Sequence, residues 1–208
     1  MSNNDYLEVN DLKTLNKECE NYFSELKTNK FPEIRADNIS IPKYISQVKR
    51  PLEKQIGRYS GISFFEAINR IASDLVLWYG LEILINDVLQ KQEIDKIALC
   101  LGNKNIQGQG DLLIHVKNGS DLNGEAFNTA ESFFKQKLNY TLKKWSGKQL
   151  HYILCNSDDD CQERYETESV PGKFNGEDVM LIKVNLSKVM YDGNELRIPH
   201  FGQTQEQK

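Results

Sequence analysis

The stretch 63–89 limits the fold of this chain more than any other part of it. Ser63 can cap a helix, and Glu66 stands three residues on, the spacing of a capping box. Beyond it, apolar side chains occupy so much of the helical circumference that little is left for solvent. A helix of this kind has to be central and covered. Asp74, Glu82 and Asn86 break the apolar run before it reaches the length of a membrane span. Gly80 marks a place for a kink or for close packing.

The covering layer is expected from the residues C-terminal to this helix. Residues 111–117 and 122–127 read as two strands of a hairpin around the turn Asn118-Gly119-Ser120-Asp121. Residues 94–101 form a strand or a helix tail, and 150–155 and 179–184 are apolar, strand-like runs. A helix over 130–145 presents Phe134, Leu138, Leu142 and Trp145 on its apolar face. This order predicts a mixed α/β architecture with a covered central sheet. Upstream, Asp11 caps a helix through Leu12, Leu15, Cys19, Tyr22, Phe23 and Leu26. Residues 1–10 read as frayed, and Pro32, Pro42 and Pro51 punctuate an irregular connector. The expected organisation is an N-terminal helix and extension over 1–62, a core domain over 63–199 and a flexible tail over 200–208. The loop 169–177 is expected to project over the sheet, toward substrate or a second subunit.

The chain has 208 residues, enough for one domain with a sizeable core. Its net charge of −4 argues against uniform coating by duplex DNA, while a groove needs only a local positive patch. The polar, acidic N-terminus lacks the pattern of a signal peptide, so a cytoplasmic protein outside the membrane is expected. Cys100 and Cys155 sit in apolar runs and read as small buried hydrophobes. Cys155 and Cys161 flank Asp158-Asp159-Asp160 with no histidine nearby, which does not match a zinc set.

Chemistry concentrates in the hairpin. Strand alternation puts Asp111, Leu113 and His115 on one face, and Glu125 and Phe127 on one face of the returning strand. Pairing across the turn can bring Asp111 and Glu125 together. Two such carboxylates repel unless a proton or a cation intervenes. Mg²⁺, with Mn²⁺ as a substitute, suits oxygen ligands and keeps waters that it can activate toward a phosphate. A nearby lysine would orient that water or stabilise the charged transition state. The natural position, two past Glu125, is Phe127. The next helix offers Lys135 and Lys137 instead, and the stem of Lys137 can snorkel past Phe133 and Phe134 toward the strand ends. Lys143, Lys144 and Lys148 extend the basic run, either as a phosphate-binding surface or as a solvated helix face.

Plain readings stand beside these. Asp111 can cap its strand, and Glu125 can be satisfied by a partner from the lysine-bearing helix. Glu66 has a full alternative in capping, and Asp74 can pair with Arg70 one turn earlier. Gln109 reads as a loop residue. His115 lies roughly 13 Å along the strand from Asp111, as a core or edge histidine.

Asp111 followed by Glu125-Ala126-Phe127, in the order helix, β-meander, helix, strand, resembles the PD-(D/E)xK nuclease superfamily, also called restriction-endonuclease-like. The resemblance covers about residues 63–155. It implies a three-layer α/β core with a central mixed β-sheet flanked by helices. It also implies a metal-dependent endonuclease that hydrolyses DNA phosphodiester bonds, in restriction or DNA processing, and leaves 5′-phosphate ends. Asp111 and Glu125 would hold the metal. Glu66 would assist from the opening helix, with Asp74 and Glu82 as rivals. Lys137 would match members whose lysine has moved to the following helix. Phe127 and Gly110 depart from the pattern, at the positions of its lysine and its proline. Specificity would come from the N-terminal segment, the late loops or a homodimer. The alternatives are a noncatalytic scaffold of the same fold, which binds nucleic acid or a protein partner, and an unrelated α/β binding domain.

Overall fold

Ser63 begins the central helix as its sequence predicts: the Oγ accepts the Glu66 N–H at 3.1 Å. In the computed structural model, which describes residues 6–28, 39–51, 53, 55–102, 110–117, 119–157, 163–174 and 177–202, this helix runs Phe64–Ile83 and ends in a π-helical turn, Leu84–Val88. Every residue from Asp74 to Ile83 is buried. Gly80 serves close packing. A Cβ there would lie 2.9 Å from Leu154 Cδ1 and 3.1 Å from Leu154 Cβ, so the helix can sit on the sheet only because this position is bare.

Among the described residues, seven strands form that sheet: β1 Tyr6–Val9, β2 Ile94–Cys100, β3 Leu112–Val116, β4 Asp121–Phe127, β5 Tyr152–Asn156, β6 Tyr165–Phe174 and β7 Glu177–Val184. Their order is β1-β2-β3-β4-β5-β7-β6. The first four pair antiparallel in succession, while β5 joins β4, and β7 joins β5, in parallel. The longer helices are α1 Leu12–Thr28, α2 Ile41–Val48, α3 Phe64–Ile83 and α4 Glu131–Lys144. A parallel pair needs a long crossover, and α4 supplies it between β4 and β5.

Side-chain alternation sorts the sheet into two faces. Leu112, Ile114, Leu154, Ile182 and Val184 pack in the same cluster as α1 and α3. Phe127, Ile153, Cys155, Val179 and Leu181 pack with Trp145 and with Phe134, Leu138 and Leu142 of α4. The result is a three-layer α/β core, a central mixed sheet flanked by helices. Phe127 is only 4% exposed and belongs to the second cluster. A lysine at that position would carry its charge into packed hydrocarbon.

Several expectations need correction. Tyr6–Val9, read as frayed, is an edge strand paired with β2. Pro42, read as part of an irregular connector, stands in the first turn of α2, where a missing N–H costs nothing. The stretch read as a projecting loop over 169–177 is largely β-structure, because β6 pairs with β7 as far as Phe174↔Glu177, with a register shift after Val170. The N-terminal helix is capped as predicted, Asp11 Oδ1 accepting the Thr14 N–H at 2.7 Å. Its Leu15, Cys19, Tyr22 and Phe23 lie in the same core as α3. At the other end, Phe201 is buried and its N–H donates to Asn16 Oδ1 at 2.8 Å. Gln109, Cys161 and the acidic run Asp158-Asp159-Asp160 lie outside the described residues. Among those described, no helix is long and apolar enough to cross a membrane.

Candidate functional site

The antiparallel register pairs Leu112 with Gly124, which sets Asp111 opposite Glu125 on the α4 face of the sheet. Asp111 is fixed from both sides. Its N–H donates to the Gly124 carbonyl at 3.0 Å, and its carbonyl accepts the Cys100 N–H at 2.8 Å. Its Oδ2 accepts the Ala126 N–H at 2.9 Å. Gly110 makes this approach possible. Its φ is 71°, and a Cβ would meet the Gly124 carbonyl oxygen at 2.5 Å and Trp145 Cζ2 at 2.8 Å. Proline, with its fixed negative φ, is excluded from that position.

Glu125 is buried, 6% exposed. Lys144 Nζ and Trp145 Nε1 both donate to its Oε1, each at 2.7 Å. Neither bond uses Oε2. The Asp111 carboxyl stands across the strand pair from Glu125, close enough to feel its charge. Two buried carboxyls side by side favour keeping a proton on one of them. Burial accordingly pushes Asp111 well above the usual carboxylate range. The negative charge of Glu125 adds to the rise, and the Ala126 N–H and Lys144 oppose it.

The two acids line a cavity of about 440 Å³. The end of β4 and the residues after it, from Ala126 to Ala130, form part of its wall. Lys137, Tyr140, Thr141 and Lys144 line another side. Their spacing of three, four and seven makes them one stripe of α4. Asn69 and Ser73 of α3 complete the enclosure.

The structure brings together only some of the sequence-predicted residues. Asp111 and Glu125 meet. Lys137 lines the same cavity, with its Nζ 5.7 Å from the Phe127 ring centroid and 6.0 Å from that of Tyr140. Lys135 does not line it. The lysine that touches the acids is Lys144, which the sequence offers only as part of a general basic run. Trp145, read as an apolar contact, also donates to Glu125.

No carboxylate of α3 lines the cavity, which corrects the expectation for Glu66 and both its rivals. Glu66 Oε1 accepts Arg70 Nη2 at 2.7 Å. This is the helical pair that the sequence suggested for Asp74. Asp74 is instead buried, accepting hydrogen bonds from the Tyr22 and Tyr59 hydroxyls and, at 3.0 Å, from the Gly102 N–H. Its pKa is pushed up to about 6 by burial, against these three donors. Glu82 takes two bonds of 2.6 Å from Arg197 and the His200 N–H at 3.0 Å, tying the C-terminal segment to α3. His115 pairs at 2.6 Å with Asp121, at the far end of the hairpin.

A buried pair of carboxyls can be neutralised by a proton or by a hard cation. Mg²⁺ fits a short list of protein oxygens because it keeps several of its waters. Among the described residues no group of three or more Asp, Glu, His or Cys side chains assembles. No family model, curated protein or solved structure matches the chain.

Proposed function

We propose that this chain is a Mg²⁺-dependent endonuclease acting on DNA, a member by resemblance of the PD-(D/E)xK superfamily whose lysine comes from the helix after the hairpin. The observation that carries this reading is the juxtaposition of Asp111, Glu125 and Lys144 in one polar cavity, with Lys137 two turns away on the same stripe. The order α3, β2-β3-β4, α4, β5 also supports it, being the order on which the resemblance rests.

Asp111 and Glu125 would hold the cation, which would take the place of the proton that burial favours on Asp111. When bound, the cation supplies positive charge for the phosphate and lowers the pKa of the attacking water. Lys144 keeps Glu125 oriented through its bond to Oε1 and offers charge as negative charge builds on the phosphate. Lys137 is the cation placed to meet a phosphate of the bound strand. In hydrolysis the water oxygen bonds to phosphorus and the P–O3′ bond breaks. One water proton ends on the departing O3′, leaving a 5′-phosphate and a 3′-hydroxyl.

The test is cleavage of plasmid and single-stranded DNA with Mg²⁺ or Mn²⁺. Asp111→Ala and Glu125→Ala should abolish cutting. Lys144→Ala should slow it by roughly 100-fold or more, the scale of one lost electrostatic donor. Equal cleavage by wild type and both acid variants would overturn the proposal. Phe127 and the two donors that already engage Glu125 Oε1 favour a second reading, a noncatalytic scaffold of the same fold. Nucleic-acid binding without any metal-dependent cutting would select it.

A further inference from the structure

We infer that the cavity takes a single-stranded polynucleotide, with bases stacked on the exposed aromatic rings around it while the backbone passes over the two acids. This deepens the nuclease proposal and rests on it for the placement of the strand across Asp111 and Glu125. The first support is where the exposed aromatics lie. Tyr140 lines the cavity and is 65% exposed. Phe133, 61% exposed, stands one turn before Lys137 on α4. Phe65, 58% exposed, stands one turn before Asn69 on α3. Exposed rings of this size have no part in the core, yet these three gather on the two helices that wall one cavity. On α4, Phe133 and Tyr140 alternate with the positive charge of Lys137 and Lys144, while Phe65 belongs to α3. Aromatic platforms along a cationic track are the usual means of binding unpaired strands, because every base offers a π-face.

The second support is enclosure. Glu125 is 6% exposed, so a scissile phosphate has to enter the cavity to approach it. A volume of about 440 Å³ lies in the range that encloses one small organic group. One nucleotide of a flexible strand can enter such a space. A base-paired duplex keeps its bases stacked inward, with no face for Tyr140, and is too broad to follow. The amides of Asn69 and Asn128, also in the wall, can meet base edges.

Binding separates this inference from catalysis. Labelled oligo-dT, oligo-rU and a duplex of equal length are titrated in EDTA with wild type, Tyr140→Ala, Tyr140→Phe and Phe65→Ala, and read by fluorescence anisotropy. Single strands should bind at least 10-fold tighter than the duplex. Tyr140→Ala should weaken that binding about 10-fold, the scale of one lost stacking platform. Tyr140→Phe should stay within about 2-fold, and Phe65→Ala should weaken binding from the opposite helix. The dT and rU arms tell whether the sugar is read. Duplex binding as tight as single-strand binding, no binding of either, or no effect of both alanine variants would overturn the inference. Tyr140-dependent single-strand binding without metal-dependent cleavage would leave it standing and reject the nuclease. Asp111-dependent cutting of duplex alone, with both alanine variants silent, would do the reverse.

Discussion

Asp111 is the residue on which the site turns, and its environment makes a thermodynamic prediction. Burial and the neighbouring Glu125 charge raise its folded pKa above the ordinary value near about 3.9. The folded state therefore holds a proton that the unfolded state releases. That contribution to stability is complete below the unfolded pKa and is lost as pH rises through the folded one. In EDTA the melting temperature should fall from pH 5 to pH 8. Asp111→Asn, a permanently neutral isostere, should melt roughly 3–6 °C above wild type at pH 8, with the gap narrowing at pH 5 and closing only below about pH 4, the unfolded pKa. Asp74, raised to about 6 by burial, shifts both proteins alike and leaves the difference intact. Equal melting of the two proteins at pH 8 would show that Asp111 carries no such strain. At this scale the acids were legible, because a period of two and a short turn leave little freedom for Asp111 and Glu125. The lysine was not. Lys137 and Lys144 occupy the same stripe two turns apart, and only the advance of α4 along β4 decides which reaches Glu125. Trp145 hid its role because its apolar body is buried while its N–H meets Glu125.

Among the elements, α3 carries the most information and the most misdirection. Its capping, burial and central place follow from its composition alone. Its three acids look interchangeable on a helical wheel, yet each is engaged elsewhere: Glu66 with Arg70, Asp74 with two tyrosines, Glu82 with Arg197. Partners that distant in sequence leave no periodic trace. Edge strands were similarly hard to read, since β1 is only four residues long and β6 carries Pro171 and Gly172. Gly80 tests the packing of this element. Gly80→Ala gains helix propensity, but the added methyl meets the Cβ of Leu154 as well as its flexible end. The variant should lose about 1–3 kcal/mol, measured by urea denaturation. A stability equal to or above wild type would show that α3 does not depend on contact at this point.

Across the whole molecule, two layers of helix serve different ends. The α1/α3 side is the larger core and holds the C-terminal segment, through Asn16 to Phe201 and Glu82 to Arg197. The α4 side has the smaller cluster and leaves room for a cavity beside it. A net charge of −4 conceals the arrangement, because the lysines that matter are confined to one helix face. The central claim is that Asp111 and Glu125 exchange the proton held on Asp111 for a divalent cation. Calorimetric titration with Mn²⁺ at pH 6, in two buffers of different ionisation enthalpy, measures both events at once. Saturable binding of one cation per chain with net proton release is predicted, and both should be lost in Asp111→Asn and Glu125→Gln. Absence of saturable binding, or binding that both variants keep with the same proton release, would contradict the claim.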